Sequence, residues 1–276
     1  MNLKKKKLIY RFGTGAILWL VALVFLIPVL LIIWNSLKTR AEANLMNFAW
    51  PSAFHWENYT YVWENSDMLR SFGNSMLIAS GSVAISTIAA ALSAFALSRN
   101  SNKLHKGIHW LLMIGLVLPL NMLPTIRVLR SLHIYGSFLG IILLYSALLI
   151  PMAFFLYYSF IKNIPKTLDE AALLDGANGF TLFFRIILPN LKPVTITVIV
   201  INFMYAWNDF LTPLYMLNNS NKWGMVQAVY NYYGFYQTDW SYICAVIMLT
   251  LIPVIVVYIF GQKYIISGMT AGAVKG

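Results

Sequence analysis

The sequence has 276 residues, of which 59% are hydrophobic and only 11% are charged, with a formal net charge of +11 at pH 7. Soluble domains are about 45–50% apolar and about 25% charged, so this composition disfavours a soluble enzyme or a disordered protein. A disulfide-stapled secreted domain is also disfavoured, because Cys244 is the single cysteine. The composition predicts an integral membrane protein whose basic residues report topology and do not bind nucleic acid.

Six apolar stretches are long enough to cross a bilayer core about 30 Å thick, which takes about 20 helical residues. The runs are continuous, unlike the alternating strands of a membrane barrel, so we expect helices. The predicted spans are 14–36, 72–98, 108–129, 138–161, 193–217 and 242–262. The predicted fold is an all-α integral membrane bundle of six transmembrane helices with a long loop at 162–192.

The spans divide the chain into four regions. They are a basic N-terminus (1–13), the first span with its outer loop (14–71), the main transmembrane region (72–262) and a tail (263–276). Lys4–Lys7 and Arg11 precede an apolar run of about 20 residues, which is too long for a secretion signal and predicts an uncleaved anchor.

The basic residues predict the orientation of the spans. With the N-terminal side taken as inside, 14 of the 20 Lys and Arg lie inside and six lie outside. The outside set is Lys38, Arg40, Arg70, Arg127, Arg130 and Lys222. This bias places both termini in the cytoplasm, because cytoplasmic loops carry the excess of Lys and Arg.

Small residues and prolines are concentrated in the spans. Gly, Ala and Ser recur through the second span, and Gly136 and Gly140 form another pair, so we expect close helix packing. Five prolines lie in or near spans, where they break or kink helices: Pro28, Pro119, Pro124, Pro151 and Pro253.

The six spans contain one acidic residue, Asp209, which follows Asn208 near the outer end of the fifth span. Asp209 is either a pore-lining or gate carboxylate or a helix-end carboxylate near the headgroups. A single carboxylate is a thin basis for ion-coupled transport, which normally requires several buried ionisable groups. With so few such groups, a neutral polar substrate fits better than a charged one.

The sequence contains no recognisable nucleotide-binding, metal-binding or catalytic motif. It lacks the Gly-x-x-x-x-Gly-Lys-Ser/Thr loop that cradles nucleotide phosphates. His105 and His109 are four residues apart, but they lie in a short basic loop without acidic partners and are interpreted as interfacial. No catalytic or metal site is predicted, so the energy for any uphill transport must come from another chain.

The loop at 162–192 predicts two short helices. Asn163 and Pro165 are suited to begin the first helix, and Gly176 is suited to end it in a left-handed turn. Asn178 can cap the second helix, which Pro189 and Pro193 terminate. Ile164, Leu168, Ala171 and Ala172 share a helical face, and this apolar side predicts either a docking surface or a hairpin lying on the membrane.

This loop carries a family resemblance. Glu170-Ala171-Ala172, then Gly176 after three residues, then Ile186-Ile187-Leu188-Pro189 after nine more resembles the EAA loop of ABC importer permeases. The resemblance implies that the loop docks on an ATPase subunit, with Glu170 reaching a basic group there and Gly176 fixing the turn. The residues implied to couple the two subunits are Glu170, Ala171, Ala172, Asp175, Gly176, Ile186, Leu188 and Pro189.

The resemblance covers nearly the whole chain. Phe72–Ser75, Tyr205–Phe210, Tyr236–Trp240 and Gln262–Gly276 are similar to carbohydrate-type permeases, in particular to the shorter subunit of the maltose-type pair. Asp209 stands where that family often has Glu. The resemblance implies a bacterial-type cytoplasmic membrane protein forming half of a sugar pore.

The implied partners are a second, non-identical permease, two cytoplasmic ATPase subunits that hold ATP and Mg, and an extracytoplasmic solute-binding protein. The alternative is a self-sufficient secondary carrier or channel for a small polar solute.

Aromatic residues crowd the predicted outer segments. They can stack on sugar rings, but Trp and Tyr also collect at membrane interfaces for a more general reason. The residues are Trp50, Phe54, Trp56, Tyr59, Tyr61, Trp63, Tyr230, Tyr232, Tyr233, Phe235, Tyr236 and Trp240. A sugar substrate therefore depends on the family resemblance and not on these rings.

Overall fold

The computed structural model describes residues 3–100, 102–234 and 238–273. These residues form helices and connecting loops, as the apolar runs predict, and no strand occurs among them. The helices are α1 (Leu3–Ser36), α2 (Arg40–Ala43), α3 (Glu57–Asn65), α4 (Met68–Arg99), α5 (Lys103–Gly115), α6 (Met122–Ser131), α7 (Phe138–Ile161), α8 (Thr167–Leu174), α9 (Gly179–Thr181), α10 (Leu188–Asn190), α11 (Lys192–Asn208), α12 (Leu211–Met216) and α13 (Trp240–Ala273). A π-helical stretch, Leu182–Ile187, joins α9 to α10, and 3-10 turns occupy Ser220–Lys222 and Val226–Asn231.

Four helical segments in the described chain are long and apolar enough to cross a membrane. They are Gly13–Ser36, Met68–Arg99, Phe138–Ile161 and Trp240–Lys263. A fifth arises if Gly179–Asn190 and Lys192–Asn208, which meet at a bend of 78°, are counted together. The all-α membrane class is confirmed, whereas the count of six spans stays a prediction.

The predicted third span at 108–129 is not one helix, and the expectation that a proline interrupts it is confirmed. The structure divides it into α5, of 13 residues, and α6, of 10 residues, with a non-helical stretch at 116–121. At 1.5 Å per residue α5 is about 20 Å long, which is less than a bilayer core. Pro119 accounts for the break, because it has no N–H to donate and keeps its preceding residue out of the helical region. Pro28, Pro151 and Pro253, in contrast, lie inside continuous helices.

The chain forms two compact units. The first contains the chain up to Met68 together with Ala228–Leu251, and the second contains Leu69–Gln227 and the chain from Ile252 onward.

In the first unit, a polar cluster closes the end of α1. Lys38 is 1% exposed, and its Nζ donates to the Asn47 carbonyl at 2.7 Å and to Asn35 Oδ1 at 3.2 Å. Burial lowers the pKa of Lys38, and nearby Glu42 opposes that shift. Asn58 Nδ2 donates to the carbonyls of Ser36 and Lys38, so α3 is tied to the end of α1.

In the second unit, one buried apolar cluster joins the long helices to the loop at 162–192. Its members come from α4, α7, α8, the π-helical stretch and α11: Ala90, Ala91, Ala94, Leu97, Ala153, Phe154, Tyr157, Ile161, Ile164, Ala172, Leu182, Phe183, Ile187, Leu191, Val194 and Val198. The alanines on α4 confirm that the small residues of the second span allow close packing. The loop is therefore built into the core of this unit.

Gly136 and Gly140 serve a different purpose from the predicted helix packing. A Cβ on Gly140 would lie 2.2 Å from the backbone oxygen of Ile134, and Gly136 has φ +73° with Asn218 beside it. Both glycines allow the turn before α7 to fold tightly, because no other residue avoids these clashes or adopts this conformation cheaply.

Candidate functional site

The loop at 162–192 contains the two predicted short helices. The first, α8, begins at Thr167, two residues after Pro165, and Gly176 follows it with φ +82°. Asn178 Oδ1 then accepts the Thr181 N–H at 2.8 Å and caps the second helix. This second helix continues past Pro189 and ends at Asn190, between the two predicted terminators.

A buried ion pair joins the loop to the end of α4. Arg99 Nε lies 2.6 Å from Asp169 Oδ2, and both side chains are only 13% exposed. The guanidinium also reaches the Ile164 carbonyl at 3.4 Å, so Arg99 holds α8 and the turn before it. No local signal in the sequence links Arg99 to Asp169, because the two residues are 70 positions apart.

The motif residues divide into a buried, a half-buried and an exposed set. Ala172 packs into the core, whereas Ile186 and Leu188 are half-buried. The exposed set is Glu170, Ala171, Asp175, Gly176 and Pro189. The predicted shared face of α8 is wrong in part, because Ile164 and Ala172 are buried while Leu168 and Ala171 are exposed.

Beside the motif lies an exposed apolar face, which we call the loop face and define as Leu173, Leu174, Phe180 and Phe184. Leu174 is 88% exposed and Phe180 is 72% exposed, and the Phe180 and Phe184 rings are 4.4 Å apart. One side of the loop is packed into the core, and the loop face is exposed on the other side.

A second unusual feature is a break in the predicted fifth span, which is not one helix over 193–217. The helix α11 ends at Asn208, Asp209 is extended, and α12 begins at Leu211. Asp209 Oδ1 accepts the Thr212 N–H at 3.1 Å and so caps α12. Gln227, 2% exposed, donates its amide to the carbonyls of Asp209 and Phe210, each at 3.0 Å.

The segment that carries Gln227 is fastened to the first turns of α4. Asn74 Nδ2 donates to the carbonyls of Asn221 and Trp223 at 2.9 Å, and Ser75 Oγ accepts the Met225 N–H at 2.9 Å. These contacts explain what Phe72–Ser75 does locally. The break is thus a built feature, with its freed backbone groups bonded by side chains.

The exposed side of the break carries polar and aromatic groups. Tyr205 is 51% exposed, Asn208 is exposed and Asp209 is half-buried. Behind them Tyr145 is fully buried, with its ring 6.4 Å from that of Tyr205. Sequence reasoning named Asn208 and Asp209 but missed Tyr145 and Gln227. Asp209 is of a residue type that commonly precedes a helix, and this is the local signal for the new helix start.

The remaining predicted residues have separate surroundings. His105 Nδ1 contacts Asn102, whereas His109 packs against the rings of Phe154 and Tyr158. Among the described residues, no three His, Cys, Asp or Glu side chains are grouped to hold a metal ion.

Among the outer aromatics, Trp50 and Trp56 are exposed, and Tyr61 stacks on Tyr242 at 4.5 Å. Phe235, Tyr236 and the last three residues lie outside the described chain.

A helical membrane protein with a rigid exposed loop and a broken span is the class that this fold and site define. The chain belongs to the family described as "Binding-protein-dependent transport system inner membrane component", which matches residues 7–270. This confirms the resemblance to importer permeases and supports a multi-pass membrane subunit that is not an enzyme.

Two relatives and one solved structure illustrate the similarity. The chain is 34% identical over 279 residues to the multiple sugar-binding transport system permease protein MsmG of Streptococcus mutans, covering 99% of this chain and 100% of the relative. It is 30% identical to the melibiose/raffinose/stachyose import permease protein MelC of Bacillus subtilis, covering 93% and 94%. A bacterial ABC transporter involved in the import of alginate has the same fold, with a TM-score of 0.80, 21% identity, and coverage of 96% and 98%.

Proposed function

We propose that this chain is a transmembrane subunit of an ATP-driven, binding-protein-dependent importer for sugars or oligosaccharides. It forms half of the translocation pore together with a second permease subunit. Two ATPase subunits in the cytoplasm, which hold ATP and Mg, drive it, and a solute-binding protein delivers the substrate. The family supports the transport class, and the printed names of the relatives support sugars.

The rigid loop carries the coupling part of the proposal. A docking element that transmits force must not yield, and Arg99–Asp169 and the buried core fix this loop on one side. The loop face then offers an apolar surface to a partner, with the exposed Glu170 carboxylate beside it. An ATPase with an apolar groove and a basic side chain fits both features, and its closure would shift the helices as a rigid body.

Reconstitution with identified partners tests the proposal. The protein is purified in mild detergent from its native membrane, the co-purifying chains are identified, and the complex is placed in liposomes with the solute-binding protein. We expect uptake of a sugar that requires ATP, an ATPase and a second permease. Ion-driven flux from this chain alone would contradict the proposal and favour the secondary carrier.

Matched variants test the role of the loop. Glu170→Gln should leave assembly intact but reduce sugar uptake per ATP hydrolysed, whereas Glu64→Gln, an exposed control on α3, should leave that ratio unchanged. Gly176→Val should act like Glu170→Gln, because a left-handed residue costs about 1–2 kcal/mol outside glycine. Gly176→Asn is the control, since Asn tolerates that conformation. Normal coupling in Glu170→Gln and Gly176→Val would refute the assignment.

A further inference from the structure

The antiparallel helices α5 and α7 bring lysines to one end of the second unit. The His109 ring on α5 packs on the Tyr158 ring on α7, with the ring centroids 4.5 Å apart. Further along α5, a Cβ on Gly115 would lie 2.9 Å from Cγ of Pro151, which precedes Tyr158 in the chain. The two contacts show that the helices run in opposite directions. Lys162 is one helical turn beyond Tyr158, so it lies level with the first turn of α5.

The first turn of α5 contributes Lys103 and Lys106, which together with Lys162 we call the lysine cluster. All three side chains are exposed, and no carboxylate in the described chain forms an ion pair with any of them. Lys162 Nζ instead lies 4.6 Å from the centre of the Tyr158 ring. Like charges at the spacing of Lys103 and Lys106 destabilise a helix, so the cluster favours an anionic partner. Lys162 begins the loop at 162–192, which places the cluster on the membrane face that carries the loop.

The same face of α5 becomes apolar toward the bilayer. Trp110 and Ile114 follow Lys103 at i+7 and i+11, so they share its helical face. Trp110 is 66% exposed and Ile114 is 52% exposed. At 1.5 Å per residue, Trp110 lies about 6 Å deeper than Lys106. The sequence of charge, indole and aliphatic side chain follows the order of phosphate, interface and acyl chain in one lipid leaflet, whereas a water-soluble acidic surface would match the lysines alone.

We propose that the lysine cluster binds the phosphate of an anionic phospholipid, with Trp110 and Ile114 lying along its acyl chains. A lysine ammonium has three N–H donors and binds phosphate as a point charge, so several lysines can share one headgroup. Basic surfaces between membrane helices recognise such headgroups. This inference goes beyond the proposed function, because the ligand is a component of the membrane and its binding requires neither sugar nor ATP.

The test measures lipid binding to the full chain, purified with its partner subunits and delipidated, by native mass spectrometry. The probes are dioleoylphosphatidylglycerol, which is anionic, and dioleoylphosphatidylcholine, which has no net charge. Lys103→Gln combined with Lys106→Gln should weaken phosphatidylglycerol binding by about 30-fold, because each lysine near a membrane surface contributes about fivefold. Arg127→Gln combined with Arg130→Gln is the matched control, since these exposed cations have the same spacing on α6. The control should bind phosphatidylglycerol as the wild type does.

A charge-preserving variant separates lipid binding from damage to α5. Lys103→Arg combined with Lys106→Arg should bind phosphatidylglycerol like the wild type. Raising NaCl from about 0.1 M to about 1 M should weaken phosphatidylglycerol binding and leave phosphatidylcholine binding unchanged, because salt screens exposed charges.

Four results would overturn the inference. They are equal affinity of the wild type for the two lipids, equal losses in the α5 and α6 variants, full competition by free glycerol 3-phosphate, and loss of a partner subunit from the Lys103→Gln/Lys106→Gln protein. The last result would make the face a protein interface. A loss of phosphatidylglycerol binding confined to the α5 glutamine variant, with the complex intact, supports the proposal.

Discussion

Removing either partner of the Arg99–Asp169 pair should release the loop at 162–192 from α4. Breaking a buried ion pair costs about 3–5 kcal/mol, because the remaining charge is left without a partner. Both side chains keep 13% exposure, and Arg99 keeps the Ile164 carbonyl, so the lower end of that range applies. We expect Arg99→Met and Asp169→Leu each to destabilise the protein by about 3 kcal/mol.

The double variant distinguishes a pair from two independent effects. Replacing both charges with apolar groups leaves no orphaned charge, so the double variant should cost less than either single variant and far less than the summed cost of about 6 kcal/mol, a coupling of more than about 3 kcal/mol. The assay is reversible unfolding in mixed detergent–SDS micelles, with Arg185→Met as an exposed control on the same loop. The argument would be refuted if the double variant cost as much as the two single variants together, or if each single variant cost no more than Arg185→Met.

Three other expectations concern separate parts of the chain. The hydrogen bonds from Ser52, and then those from Thr39, lower the pKa of Glu42 from 4.5 to about 2. The stabilisation of the folded protein by these bonds is therefore complete above pH 4.5 and disappears as the pH falls toward 2. The difference in unfolding midpoint between wild type and Glu42→Gln should vanish over that interval. Gly140→Ala should reduce the yield of folded protein, because its Cβ meets backbone, whereas Gly107→Ala meets open space and should not. Gln227→Leu should lower the unfolding free energy by about 2 kcal/mol, since two carbonyls at the break lose their donor; an unchanged value would show that the break does not depend on that amide.

The all-α membrane fold and the short helices of the loop could be predicted, because apolar runs, Gly176 and Asn178 act locally. Continuity of the third span could not be judged from hydropathy alone, since Pro119 interrupts the backbone without reducing the apolar content. The hydrophobic pattern also could not predict which residues of α8 are buried. A helix of eight residues has no period long enough to show that Ala172, and not Leu168, faces the core.

The parts of the site that were missed depend on distant partners. Arg99 and Asp169 are 70 positions apart, and Gln227 reaches the Asp209 carbonyl across 18. Such contacts are created by the fold, so a single sequence contains no trace of them. Asp209 itself was noticed because it is the one acid in the predicted spans, a signal of composition that requires no knowledge of its neighbours.

Two helical segments, Gly179–Asn190 and Lys192–Asn208, meet at Leu191 at a bend of 78°. The Leu191 N–H donates to the carbonyls of Ile187 and Leu188, and its carbonyl accepts the Thr195 N–H, so the corner is braced by backbone bonds. If the angle at the bend stays fixed, rotating Gly179–Asn190 by 10° would move the far end of Lys192–Asn208 by about 4 Å, because its 17 residues rise about 25 Å. That far end is Asn208, so a small rotation of the loop helix would move the break between α11 and α12 by about the same distance.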